Sequence, residues 1–220
     1  MKVIKTIEYE CIGSTNKEAK DYAARVSSFE PVLFVAREQI AGRGRLGRSF
    51  LSRKNRGIYM SLLYFTGDAL SDAVSVTTRA AVVTARAIED VVGKPMRIKW
   101  VNDIYNHRGK VAGILAESLL LGEMRAVIVG IGINIGADDF PAELASIASS
   151  IGDVDEEQRG EIISRIVDGL LDVDSDHMAE YRKRFMLSGE RVELFSAGES
   201  MGVGKALGVS DDGGDRKSVV

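Results

Sequence analysis

Two long apolar runs closed by tight turns restrict the fold more than any other feature. Lys110 to Leu121 and Arg125 to Ile135 flank Gly122-Glu123, and His107-Arg108-Gly109 joins the first run to a shorter one at Asp103 to Asn106. Turns this short connect antiparallel strands, so the three segments predict a meander. Such a sheet needs apolar cover. The stretch from about Ser71 to Val92 supplies it: Ala73/Val74, Thr77, Ala80/Ala81, Thr84, Ala87/Ile88 and Val91/Val92 recur at helical spacing, predict a narrow small-residue face, and end at Gly93 and Pro95.

The other segments fit around this pair. Ile7 to Cys11, Val32 to Ala36, Gly57 to Tyr64 and Arg97 to Trp100 read as strands. A helix begins near Ser14-Thr15, with Thr15 and Glu18 at the spacing of a capping box. A second long helix is expected from about Glu156 to Met186. From Gly189 the pattern turns to alternation (Val192, Leu194, Met201, Val203), with turns at Gly198 and Gly213-Gly214. Helices segregated from a mixed, largely antiparallel sheet define an α+β main domain. The expected division is 1–187 for that domain and 188–220 for a small β appendage.

Composition removes several function classes. The 220 residues are 45% hydrophobic and 28% charged with three prolines, so the chain is globular rather than low-complexity. A net charge of −3 disfavours a bulk nucleic-acid binder. One cysteine, Cys11, excludes an internal disulfide and any CxxC site, and reads as a small buried hydrophobe. The first residues are too charged for a signal peptide, and the most apolar stretch, Ala126 to Ala137, is too short for a membrane span. A cytoplasmic, membrane-free protein is expected. His107 and His177 read as ordinary surface residues.

Charge is unevenly placed. Arg37 to Arg56 holds seven basic residues and one acid, whereas Ile151 to Glu180 holds ten acids and two arginines. The acidic stretch reads as a solvated helix face. The basic segment contains Gly42-Arg43-Gly44-Arg45-Leu46-Gly47-Arg48, which is neither a dinucleotide fingerprint nor a P-loop. Glycines let backbone approach a ligand, and arginines offer planar forks to carboxylate or phosphate. A loop that orders over an anion is expected, against the alternative of a disordered basic turn.

Three further strings carry chemical potential. Lys99-Trp100-Val101-Asn102-Asp103 leaves a strand into a turn; Asn102 and Asp103 are either turn formers or groups for phosphate and Mg²⁺. Lys110 opens an apolar strand, which is costly unless its ammonium has a task or snorkels to the surface. Gly113, and Gly130 with Gly132 before Asn134, mark either close ligand approach or a packing bulge. No Gly-x-Ser-x-Gly elbow and no metal-ligand spacing is present.

In this order and approximate spacing, Ser14-Thr15-Asn16, Gln39 with the glycine–arginine loop, Lys99 to Asp103, Lys110 to Glu117 and Gly130 to Asn134 resemble the biotin–protein ligases from about residue 9 to 136. The resemblance implies a sheet-and-helix fold related to class II aminoacyl-tRNA synthetases, with a small SH3-like C-terminal domain. It implies attack of biotin's carboxylate on the α-phosphorus of ATP, then transfer of biotin from the adenylate to a lysine of a biotin carboxyl carrier protein. Ser14, Thr15, Asn16 and Gln39 would line the ureido end of biotin, with Gly113 and Gly130 under its rings. Arg43, Gly44 and Arg45 would lie along biotin and adenylate, and Arg48 would reach phosphate. Lys110 would hold the carboxylate and an α-phosphate oxygen. Phe50, Lys99, Asn102, Leu115 and Asn134 would face the nucleotide, and Asp103 would hold Mg²⁺. Lys110, Arg45, Arg48 and Asp103 form the implied catalytic set. The family also allows a homodimer.

Three departures stand out. Val101 occupies the position of the family's usual proline, which would loosen the turn. No helix-turn-helix precedes Ser14, so a DNA-binding role has no support. Six residues follow Gly214, where the family's barrel continues for another strand or two. The rival readings are a lipoate–protein ligase or octanoyltransferase, which carries a different loop string, and a non-catalytic biotin or nucleotide sensor, which need not keep Lys110 and Asp103 together.

Overall fold

In the computed structural model, which describes residues 4–67, 73–172, 176–196, 199–211 and 213–219, the meander forms the centre of a seven-stranded sheet. The strands are β1 (Lys5–Tyr9), β2 (Val32–Ala36), β3 (Gly57–Thr66), β4 (Arg97–Lys99), β5 (Asp103–Tyr105), β6 (Lys110–Leu121) and β7 (Met124–Asn134). Their order across the sheet is β1-β2-β3-β7-β6-β5-β4. β1 runs parallel to β2, and every other neighbouring pair is antiparallel.

The period-two pattern of β7 divides the two faces. Val127, Val129, Ile131 and Ile133 join the larger buried cluster, whereas Ala126 and Ile128 belong to a smaller one on the opposite face. The helix α1 (Thr15–Ala23) covers the smaller cluster through Ala19 and Ala23. The helix α2 (Ala73–Val92) lies over the larger one. Its buried surface is wider than the narrow face expected, because Val76, Val82, Val83 and Ala85 are buried as well. α2 is sandwiched between the sheet and two further helices, so little of its circumference meets water. Ser71, the expected start of α2, lies outside the described residues.

The long helix expected over 156–186 is two helices, α3 (Glu156–Leu171) and α4 (Met178–Arg184). Asp172 turns extended (φ −89°, ψ 99°) and ends α3; residues 173–175 lie outside the described residues. The capping box forms at the start of α3, where the Asp155 carboxylate accepts from the Gln158 N–H and the Gln158 side chain accepts from the Asp155 N–H. The box expected at Thr15 does not form: Ser14 is the N-cap of α1 and its side chain makes no capping bond. Cys11 is exposed, not buried. His177 is half-buried, with Nε2 3.0 Å from Thr78 Oγ1, rather than free on the surface.

A three-stranded antiparallel sheet follows, in the order β10-β9-β8: β8 (Arg191–Ser196), β9 (Glu199–Val209) and β10 (Asp215–Val219). Gly198, one of the expected turns, lies outside the described residues. Ala206 and Val209 of β9 join the larger core cluster. No helix among the described residues is long and apolar enough to cross a membrane.

Ile88 is fully buried where α2 meets the sheet. Ile88→Ala should lower the unfolding free energy by ~2–4 kcal/mol, measured by urea denaturation.

Candidate functional site

A single irregularity in β6 turns a core strand into a site. Ile104 pairs with Ala112 and Tyr105 with Lys110, leaving Val111 as an extra residue. Val111 and Ala112 are therefore both buried in the larger core cluster. Without the bulge, Lys110 would share the face of Ala112 and point into that core. With it, Lys110 shares the opposite face with Gly113 and Asp103, which pair across the strands. Its Nζ lies 2.7 Å from Asp103 Oδ1. Both side chains are partly exposed, so the ammonium is compensated and open to exchange its partner.

That face holds a cavity of about 400 Å³. Its floor is bare backbone. Gly113 pairs with Gly132, and Gly130 pairs with Leu115 on one side and Ser61 on the other. The registers run unbroken through Gly130 and Gly132, so the strand carries no bulge there. Close approach is the reason for glycine. A Cβ on Gly132 would meet the Phe50 ring at 2.5 Å, and one on Gly130 would meet Asn16 Oδ1 at 1.9 Å. Phe50 also packs edge-on to Tyr59, with ring centroids 6.5 Å apart. Burial pushes the Tyr59 phenol up to about 12, and its hydroxyl donates to Arg53 O at 2.9 Å.

One end of the cavity is neutral, and a hydrogen-bond network holds its side chains. Gln39 Oε1 accepts from the Thr15 N–H (2.8 Å), and Gln39 Nε2 donates to Ser52 Oγ (3.0 Å). This explains why α1 lacks its expected box: the donor at its first turn is taken by Gln39. Asn16 Nδ2 donates to Leu115 O (3.2 Å) and Glu117 Oε2 (2.9 Å). Ser61, Ser52 and Glu117 support these residues and are absent from the candidates read from sequence. A lone serine within the apolar run of β3 was the available signal for Ser61.

The other end is cationic. Arg43, Arg45, Arg48, Lys99 and Lys110 line the cavity with Asp103 as the sole carboxylate among its lining residues. The glycine–arginine loop is a folded tongue here, closed by Gly44 N–H to Arg48 O (2.7 Å) and by one 3₁₀ turn, Arg45–Gly47. Leu46 at its tip has φ +56° and is 88% exposed. Arg45 Nη1 donates to Asn102 Oδ1 at 3.1 Å, which ties the tongue to the β4–β5 turn.

That turn is held on several sides, against the looseness expected from Val101. The Trp100–Val101 peptide bond is cis. Asn102 and Ile114 exchange bonds, Asn102 Nδ2 to Ile114 O and Ile114 N–H to Asn102 O, both 3.0 Å. Tyr181 Oη donates to Val101 O (3.1 Å), and Trp100 Nε1 donates to Gly213 O (3.0 Å).

The structure thus gathers Ser14, Thr15, Asn16, Gln39, Arg43, Gly44, Arg45, Arg48, Phe50, Lys99, Asn102, Asp103, Lys110, Gly113, Leu115 and Gly130 around one cavity. Asn134 is the exception. It is buried beside the cavity, and its amide donates to Ser149 O (3.0 Å) and Lys110 O (3.4 Å). There it holds the 148–150 segment against the backbone of Lys110. Among the described residues no cluster of three metal-ligating side chains occurs. One carboxylate fits a Mg²⁺ that takes its remaining ligands from substrate phosphates and water, not a resident metal.

Comparison with known proteins agrees with this arrangement. Residues 9–134 match the biotin/lipoate A/B protein ligase family. The bifunctional ligase/repressor BirA of Bacillus spizizenii is 36% identical over 94% of this chain and 67% of its own length. The biotin–[acetyl-CoA-carboxylase] ligase of Paracoccus denitrificans is 41% identical over 59% of this chain and 54% of its own. The biotin protein ligase of Aquifex aeolicus, solved in complex with biotin and ATP, superposes with a TM-score of 0.79 at 26% identity, covering 98% of this chain and 96% of that one. The chain belongs to the biotin/lipoate A/B protein ligase family.

Proposed function

We propose that this chain is a biotin–[acetyl-CoA-carboxylase] ligase, which makes biotinyl-5′-AMP from biotin and ATP and passes biotin to a lysine of a biotin carboxyl carrier protein. The observation that carries this reading is the composition of the cavity: five cations beside a neutral, hydrogen-bonded end, and no histidine or cysteine in its lining. Such a site neutralises anions, and its lining carries neither a thiol nor an imidazole to activate a hydroxyl. Adenylation has that requirement, because both nucleophiles belong to substrates.

In the first half-reaction a carboxylate oxygen of biotin bonds to the α-phosphorus, and the bond to the bridging oxygen breaks to release pyrophosphate. Two anions must meet for this step. Lys110 leaves Asp103 to bridge the carboxylate and an α-phosphate oxygen, while Arg45 and Arg48 take up phosphate charge. Thr15, Asn16 and Gln39 hold the ureido ring over the glycine floor, with Ser14 closing around it, and Arg43 lies along biotin and the adenylate. Phe50, Lys99, Asn102 and Leu115 face the nucleotide, and Asn134 acts through the backbone of Lys110. Asp103 would be the protein ligand of a Mg²⁺ bound with ATP, which would supply further neutralisation of phosphate charge. In the second half-reaction the carrier lysine, as the free amine, bonds to the acyl carbon, loses a proton, and AMP departs with the mixed-anhydride electron pair.

Residues 1–187 carry the chemistry in this proposal, and 188–220 brace the β4–β5 turn through Gly213. The setting is the cytoplasm, and the acceptor is the carrier domain of a carboxylase.

Biotin should support exchange of labelled pyrophosphate into ATP with Mg²⁺, and lipoate and octanoate should not. Exchange with lipoate alone would overturn the assignment. Lys110→Ala should lower kcat/KM for adenylation by ~10²–10³-fold, about 3–4 kcal/mol. Gly130→Ala should displace Asn16 and raise KM for biotin by ~10–100-fold, while KM for ATP stays within about threefold.

A further inference from the structure

Ser61 is the one fully buried polar residue at the neutral end of the cavity, and it sits beneath the lining in the centre of β3. Its hydroxyl lies 2.6 Å from Asn16 Oδ1 and 2.7 Å from Thr15 Oγ1. The direction of these bonds follows from the partners. Asn16 Nδ2 faces two obligate acceptors, Leu115 O and the Glu117 carboxylate, so Oδ1 must face Ser61. A carbonyl oxygen can only accept, so the single Ser61 proton goes to Asn16. Ser61 Oγ is then left as an acceptor for the Thr15 hydroxyl. The alternative acceptor for that hydroxyl, Gln39 Oε1, is longer at 3.1 Å and already receives the Thr15 N–H. Ser61 lies beneath the lining, whereas Gln39 lines the cavity beside Thr15.

We infer that Ser61 is a positioning residue: it holds the Thr15 hydroxyl proton inward, so that Thr15 presents lone pairs to the cavity and selects a ligand with an N–H donor at that point. The inference rests on the biotin reading, in which the N–H belongs to the ureido ring. The relay Thr15 to Ser61 to Asn16 also polarises each member in one sense, which strengthens Thr15 as an acceptor. A ligand carrying an oxygen in place of that N–H would face lone pair against lone pair.

Calorimetry with biotin and with the two cyclic carbamates, each having one ureido N–H replaced by a ring oxygen, tests this directly. The wild-type chain should bind one carbamate at least about tenfold more weakly than biotin. In Ser61→Ala the Thr15 hydroxyl loses its shorter acceptor and keeps only the 3.1 Å contact to Gln39 Oε1 against turning to donate into the cavity, so that ratio should fall below about threefold, with ATP affinity unchanged. Ser61→Cys keeps the side-chain shape with a weak donor and should move the ratio the same way, which covers a failure of the alanine variant to fold. A wild-type preference that persists unchanged in a folded Ser61 variant would overturn the inference. So would equal wild-type affinity for biotin and both carbamates. Failure of the wild-type chain to bind biotin at all would instead overturn the reading of function on which it rests.

Discussion

The site depends on one extra residue in a strand. A side chain's face in a sheet is set by counting, and Val111 changes the count by one. The result reconciles two demands that a regular strand could not meet together. The apolar face stays continuous, because Val111 and Ala112 both fill it, and the lysine beside them reaches the polar face. An ammonium there without a partner would be costly. Asp103 meets it from the neighbouring strand at 2.7 Å. The pair is strong enough to hold the lysine in place and exposed enough to be traded for a ligand's charge.

Around that pair the cavity is built from subtraction and from tethering. The floor lacks side chains at Gly113, Gly130 and Gly132, where Phe50 and Asn16 occupy the space that Cβ atoms would need. The walls are held by residues that do not touch the cavity themselves. Ser61 and Glu117 fix Asn16, Ser52 fixes Gln39, and Tyr181 fixes the backbone of Val101. Rigidity at a binding surface comes from such supports, because a side chain with every donor and acceptor used has few alternatives.

Much of this was legible from the chain itself. The meander follows from spacing, and sixteen of the seventeen residues that the family resemblance implied line one cavity. The failures share a cause. The bulge at Val111 leaves no mark in a run of apolar residues, so the lysine's task could be suspected but not its geometry. Asn134 shares strand parity with Gly130 and Gly132, yet the 148–150 segment takes its amide and keeps it out of the cavity. The capping box at Thr15 has the right letters, but Gln39, distant in sequence, competes for the same donor. The helix over 156–186 keeps its hydrophobic phase across a break that local backbone at Asp172 imposes. In each case a partner far along the chain, or a single backbone irregularity, overrode a local rule.

The β4–β5 turn is fastened by three separately encoded pieces: Ile114 of the meander, Tyr181 of α4, and the backbone at Gly213 between β9 and β10. It therefore works as a keystone. Dividing the polypeptide between α4 and β8 would leave each half without the contact that the other supplies, and the turn would regain its full set of ties only when the halves rejoin.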